Sequence, residues 1–253
     1  MVKSAQEVLN QVEPATRAYL LLCAFCTIVH CMGLPAPEMF NLEKSRLYEL
    51  WRPFTSVSYF GPPSMSLANN IYFLIRYGQT LETTNGTGAH TWFLLVQTVV
   101  LTLLGYLLGF PFQAQAMIAA TLYASVHLNP LETMPFQFGF MITAWQLPFC
   151  MMAIDCLSQQ NVGAAWPHVL GIFSGHLYHF FTKVWPALGG KAWLEPPAWF
   201  VKRFGGRRSS NVPGMDFRKN KDDRESSGGK GGKGGKKRPV IRGKKLGSSL
   251  PKK

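Results

Sequence analysis

The sequence predicts an all-α polytopic membrane protein: six spans in one helical bundle, followed by a disordered basic tail. Three observations carry that prediction. Charge is confined to one end, for residues 1–182 hold 6 Lys/Arg and 8 Asp/Glu, whereas residues 183–253 hold 20 and 5. A soluble domain of the first segment's size would need far more surface charge. Long apolar runs take its place, the clearest at Thr91–Phe110. The distal tail, finally, is mostly Gly, Ser and Lys, from which no core forms.

The spans are expected at Ala18–Leu34, Leu67–Leu81, Thr91–Phe110, Phe112–Leu128, Phe138–Leu157 and Val162–Val184. A helix needs about 20 residues to cross a ~30 Å hydrocarbon core. The first, second and fourth fall short of that, and the second also carries Asn69, Asn70 and Arg76. Either these helices sit behind others or the bilayer is thinner around them. The first apolar run starts behind Glu7, Glu13 and Pro14, without the charged start and cleavage site of a signal peptide, so an uncleaved span is expected. A long connection, residues 35–66, is rich in Pro, Trp, Tyr and Phe; the other loops are short. Six spans put both termini on one side, and the basic tail makes that side the cytosol. The organisation is then a membrane domain at 1–185, an interfacial amphipathic segment at 186–206 and a disordered cytosolic tail at 207–253. The middle segment mixes Trp193, Trp199 and Phe200 with Lys191, Lys202 and Arg203, as an interfacial stretch does.

Four groups of residues stand out. Trp51-Arg52-Pro53 lies in the long connection, where an indole and a guanidinium favour the headgroup layer. The plainer reading is an anchor at the interface. Gly171 and Gly175 share a face of the sixth span and permit close approach of another helix, with His176 beside them. Ionisable groups inside spans are functional candidates, but His168, His176 and His179 read first as hydrogen-bonding glue between helices. Asn69, Asn70, Arg76, Gln113 and Gln115, with His127 and Gln146, are further polar positions within or beside spans. Cys23, Cys26 and His30 share one helix face, yet no fourth ligand is in view, so neither metal nor cofactor is expected. All five cysteines read as small apolar side chains rather than a disulfide framework. Asn85-Gly86-Thr87 is a glycosylation sequon that this topology leaves in the cytosol, unmodified.

Taken in order, Pro14-Ala15-Thr16-Arg17, Trp51-Arg52-Pro53-Phe54-Thr55, Asn70-Ile71-Tyr72-Phe73-Leu74, Leu81-Glu82, Gly171 with Gly175-His176-Leu177-Tyr178, Leu188-Gly189-Gly190, Pro197 and Trp199-Phe200 resemble the Derlin family over residues 14–204. That resemblance implies a rhomboid-like fold without protease activity and a role in exporting misfolded proteins from the endoplasmic reticulum for degradation. It also implies six spans and both termini in the cytosol. Partners implied are misfolded substrates, membrane lipid, a ubiquitin-ligase complex, a cytosolic AAA+ unfoldase, and assembly with itself or other Derlins. Several Derlins end in an unfoldase-binding peptide, and here Gly243, Leu246 and Gly247 fit its pattern, while Pro239 and Ile241 replace an aromatic residue and a glycine. A basic tail near anionic lipid reads equally well there. Nucleic acid is not expected, since the distal tail lacks Arg-Gly-Gly repeats and stacking aromatics.

A rhomboid protease needs a Gly-x-Ser-Gly serine on the fourth span and a histidine on the sixth. Ser125 is flanked by Ala124 and Val126, and Ser174 lies on the sixth span with Ile172 two residues before it. No nucleophile is therefore expected. The function this predicts is a polar, locally thinned path through the bilayer for substrate chains; the alternative is a non-enzymatic adaptor that recruits partners without a path. A small-solute transporter finds no support, because no repeat of the spans is visible. The endoplasmic reticulum proper and a related membrane around a plastid both fit.

Overall fold

Pro14, in the first turn, opens α1 (Pro14–Cys31), because its fixed φ suits a helix start and its missing N–H is no loss there. The structure is a computed structural model, and it describes residues 11–34, 36–42, 49–135 and 141–204, all within the compact unit Met1–Ser210. Two short helices, α2 (Ala36–Phe40) and α3 (Arg52–Ser56), lie in the long connection. Ser64 caps α4 (Met65–Phe73), its side chain accepting from Leu67 N. α4 runs without a break through a π turn, Leu74–Gly78, into α5 (Gln79–Asn85). Gly86, at φ 89°, turns the chain into α6 (Thr87–Leu108), which Gly109 ends in the left-handed region.

α7 (Ala114–Val126) is the axis of the bundle. Eleven of its 13 residues are buried, so it is apolar all round, as a fully enclosed helix must be. Leu101 of α6 and Leu74 of the π turn pack with Ala116 and Met117 in one cluster; Phe73 and Tyr77 pack with Ile118 and Leu122 in another. A hairpin follows, β1 (Thr133–Pro135) against β2 (Met141–Thr143), antiparallel with Thr133 opposite Thr143. Then come α8 (Leu147–Gln159) and α9 (Ala165–His179). α9 continues through a second π turn, Phe180–Val184, into α10 (Trp185–Ala187). α11 (Ala198–Arg203) closes the described chain.

Gly171 and Gly175 set the closest helix contact. A Cβ at Gly171 would fall on the Ala116 carbonyl and the Ala119 methyl, and one at Gly175 would stand 3.1 Å from Ala120 O. The small residues of α9 thus seat on the alanines of α7, the geometry by which helices associate in lipid.

Several expectations need correction. The fifth segment was expected helical over Phe138–Leu157, but Met141–Thr143 is a strand and α8 starts only at Leu147. Its start is set by a 3₁₀ turn, Ala144–Gln146, with a capping box in which Gln146 Oε1 accepts from Thr143 N, and by a proline in the first turn of α8. The hairpin also qualifies the all-α class. Helices occupy all six expected segments, yet among the described residues only α1 and α6 are long and apolar enough to cross a membrane by length and composition. The second segment is divided by its π turn, and α7, α8 and α9 hold 13, 13 and 15 residues. The tail at 207–253 lies outside the described residues.

Gly171→Ala should lower the thermal midpoint in detergent more than Gly175→Ala, because a Cβ at the first falls on the Ala116 carbonyl, whereas one at the second stands 3.1 Å from Ala120 O. Unfolding monitored by intrinsic Trp fluorescence checks the order.

Candidate functional site

A helix buried at its N-terminus must satisfy backbone N–H groups that have no partner within the helix. In α1 that partner comes from α5, 66 residues along. Glu82 Oε1 accepts from Ala15 N at 2.8 Å, and Oε2 accepts from Thr16 N at 2.7 Å and Thr16 Oγ1 at 2.8 Å. Glu82 is 2% exposed. A carboxylate suits this place, since it meets the positive end of the helix dipole. Thr16 Oγ1 already donates to Glu82, so it accepts from His90 Nε2 of α6 at 3.4 Å. The start of α1, the end of α5 and the start of α6 therefore meet at one end of the bundle. Trp92 Nε1 donates to Leu194 O at 3.0 Å, and Gly88 lies against Val201, which brings the last described segment to that same end.

The opposite end holds a second polar group, made by four helices. Asn70 Nδ2 of α4 donates to Gln115 Oε1 of α7 at 2.9 Å. Gln115 Nε2 donates to Asp155 Oδ2 of α8 at 2.7 Å, and the same oxygen lies 2.6 Å from His168 Nε2 of α9. Asn70 and His168 are buried, while Gln115 and Asp155 are half-buried. This group joins side chains of four helices by hydrogen bonds.

A third group lies further along α7 and α9. Tyr123 Oη is 2.8 Å from His176 Nδ1. His127 Nδ1 donates to Tyr123 O at 2.8 Å, and the His127 and His179 rings are 5.1 Å apart.

The long connection is held from within. Arg52 is 2% exposed; its Nε donates to Glu49 Oε2 at 2.8 Å, and one terminal nitrogen donates to Glu38 O, Asn41 O and Asn41 Oδ1. Arg52, expected in the headgroup layer, uses these donors within the connection itself, since the carbonyls of that irregular backbone need them. Trp51 is half-exposed, and Pro53 sits in the first turn of α3. Tyr59 Oη lies 2.9 Å from His30 Nδ1, joining the connection to α1, and burial, with Cys26 adding to it, pushes the Tyr59 phenol above its ordinary pKa.

The expected polar set divides. Asn70 and Gln115 are brought together, while Asn69 is half-buried and Arg76 is exposed on the outer side of the π turn. Gln113 is buried and donates to Phe110 O of its own turn. Gln146 serves the capping box. Ser174 Oγ donates to Gly171 O, and Ser174 and His176, two apart on one helix, do not face each other. Gly243, Leu246 and Gly247 lie outside the described residues. Among the described residues no group of three or more His, Cys, Asp or Glu side chains is placed to hold a metal. Asp155 was not among the expected residues, although a lone acid in an apolar run is its own signal, and Glu82 stood only within a motif.

Polar side chains turned inward, with large apolar ones such as Phe25, Ile28, Val99, Leu103 and Phe173 left exposed, are the pattern of a helical membrane protein. The chain belongs to the Der1-like family, whose model matches residues 12–198. It is 28% identical to Derlin-1 of Arabidopsis thaliana over 209 residues, 79% of this chain and 77% of that one. Derlin-1.2 of Zea mays is 29% identical over 84% of this chain and 90% of its own length, and Derlin-2 of Oryza sativa subsp. japonica is 27% identical over 80% and 86%.

Glu82→Ala strands three donors, at about 1–3 kcal/mol for each that stays unpaired. The expected result is a large fall in thermal midpoint and in membrane level, with Glu82→Gln intermediate because one acceptor survives. Immunoblotting of membranes and thermal unfolding in detergent check the order.

Proposed function

We propose that this protein is a component of the machinery that moves misfolded proteins from the endoplasmic reticulum to the cytosol for degradation, and that it gives them a polar, locally thinned path. The observation that carries this reading is the chain Asn70–Gln115–Asp155–His168, one residue from each of four helices. An unsatisfied backbone group in hydrocarbon costs several kcal/mol. A row of exchangeable hydrogen-bonding groups lowers that cost for a passing chain. α8, with 13 residues of which only Leu147, Pro148 and Met151 are buried, is about 20 Å long, against a hydrocarbon core of ~30 Å. A bilayer meeting so short a helix thins around it.

The membership in a family of Derlins supports the setting. The bundle end that gathers the start of α1 and the segment 194–201 leads on to the basic tail, so this end faces the cytosol and both termini lie there. The polar quartet then opens toward the lumen, where misfolded chains begin. The protein works without proteolysis: Ser174 is bonded back into its own helix, and His176 Nδ1 is engaged by Tyr123. A ubiquitin ligase and a AAA+ unfoldase act on the emerging chain, with residues 239–247 or the surrounding lysines as the point of recruitment.

The test is the lifetime of a misfolded lumenal reporter in cells carrying Asn70→Leu with Gln115→Leu. The lifetime should lengthen severalfold at unchanged level of the protein. An unchanged lifetime would contradict the path.

A further inference from the structure

The outer face of α8 and α9 carries an apolar groove of about 310 Å³. Phe149 and Met152 of α8 and Val169, Ile172, Phe173 and His176 of α9 line it. The α9 residues stand at i, i+3, i+4 and i+7, one face of the helix. Five of the six lining side chains are apolar, and His176, exposed, is the sole polar point.

Its depth decides what can sit there. The helical rod from Ala165 to Ala187 is continuous, and His176 is its middle residue. At 1.5 Å per residue it stands about 16 Å from either end, the depth of the centre of a ~30 Å core that this rod would span. Tyr123 Oη holds Nδ1 at 2.8 Å, so the ring is oriented and Nε2 is the nitrogen left over. Nε2 has no hydrogen-bond partner among the described residues. Polar groups at this depth usually face the bundle interior; this one faces out.

We infer that the α8–α9 groove is a docking site for a transmembrane helix of another polypeptide that carries a hydrogen-bonding side chain (Ser, Thr, Asn or Gln) near its middle. An acyl chain fills the apolar wall but leaves Nε2 unsatisfied. A lipid headgroup cannot reach the bilayer centre. A helix with one polar residue at mid-depth matches both the apolar stripe and its single polar point, and removes an unpaired group from each partner at once. Such residues are what an unassembled membrane subunit exposes. The groove rests on the proposed role only in drawing its occupant from other polypeptides; it would serve an adaptor that forms no path.

The test places a photoreactive residue at Val169 in the full chain, in membranes. Two single-span reporters are supplied, an all-Leu helix and the same helix with one central Asn. Capture of the Asn helix should exceed that of the Leu helix about tenfold, the factor that ~1.4 kcal/mol represents. Because only the reporter changes, folding of this chain is not at issue. His176→Phe should erase the difference and His176→Gln restore part of it. Equal capture of both reporters, capture of lipid alone, or adducts only with a second copy of this chain would each overturn the proposal. Reporter lifetime read in parallel separates the two ideas. If Gln115→Leu with Asn70→Leu blocks degradation while capture is equal, only the groove falls; if capture discriminates but degradation is normal, only the path falls.

Discussion

Hydrocarbon supplies no hydrogen bonds, so polar side chains inside the bundle are drawn to partners in their own or a neighbouring helix. That constraint organises this molecule from one end to the other. At one end Glu82 closes the open turn of α1 and brings α5 and α6 to it. At the other, Gln115 links Asn70 to Asp155, and Asp155 meets His168. Outside the bundle, Arg52 does the same for the irregular connection.

The two ends differ in kind, and the difference points to function. The Glu82 group is closed: the carboxylate and Thr16 are 2% and 1% exposed, and a backbone cap consumes the acceptors. Exchange there would undo a helix. The Gln115 group consists of side chains alone, and Gln115 and Asp155 keep some exposure. Side-chain amides can swap partners without unfolding anything. The first group therefore holds the bundle, and the second is the one that the proposed path uses. Between them, Gly171 and Gly175 draw α9 onto the alanines of α7, which keeps the two helices close.

Much of this was legible in the sequence, for identifiable reasons. Apolar runs marked six helical segments because composition alone decides what hydrocarbon accepts. The glycine pair on α9 was readable as a packing face, though its partner was not; the alanine density of residues 114–124 was the available signal. The partners of Arg52 were not legible, because only the fold brings the Glu38 and Asn41 carbonyls to it. The hairpin at Met141–Thr143 was hidden in an apolar stretch that periodicity could not tell from a helix. Glu82 reaches across 66 residues to Thr16, a pairing that no local pattern encodes.

The central claim is that water and client chains reach the Asn70–Gln115 group while the lipid-facing surface stays dry. Cysteine placed at Asn70, Gln115 or Val99, one at a time, and treated in intact membranes with a membrane-impermeant thiol reagent, tests this against the parent chain with its native cysteines. Labelling at Asn70 and Gln115 but not at lipid-exposed Val99 is the predicted result. Silence at all three positions, in protein that retains its thermal midpoint, would contradict the account.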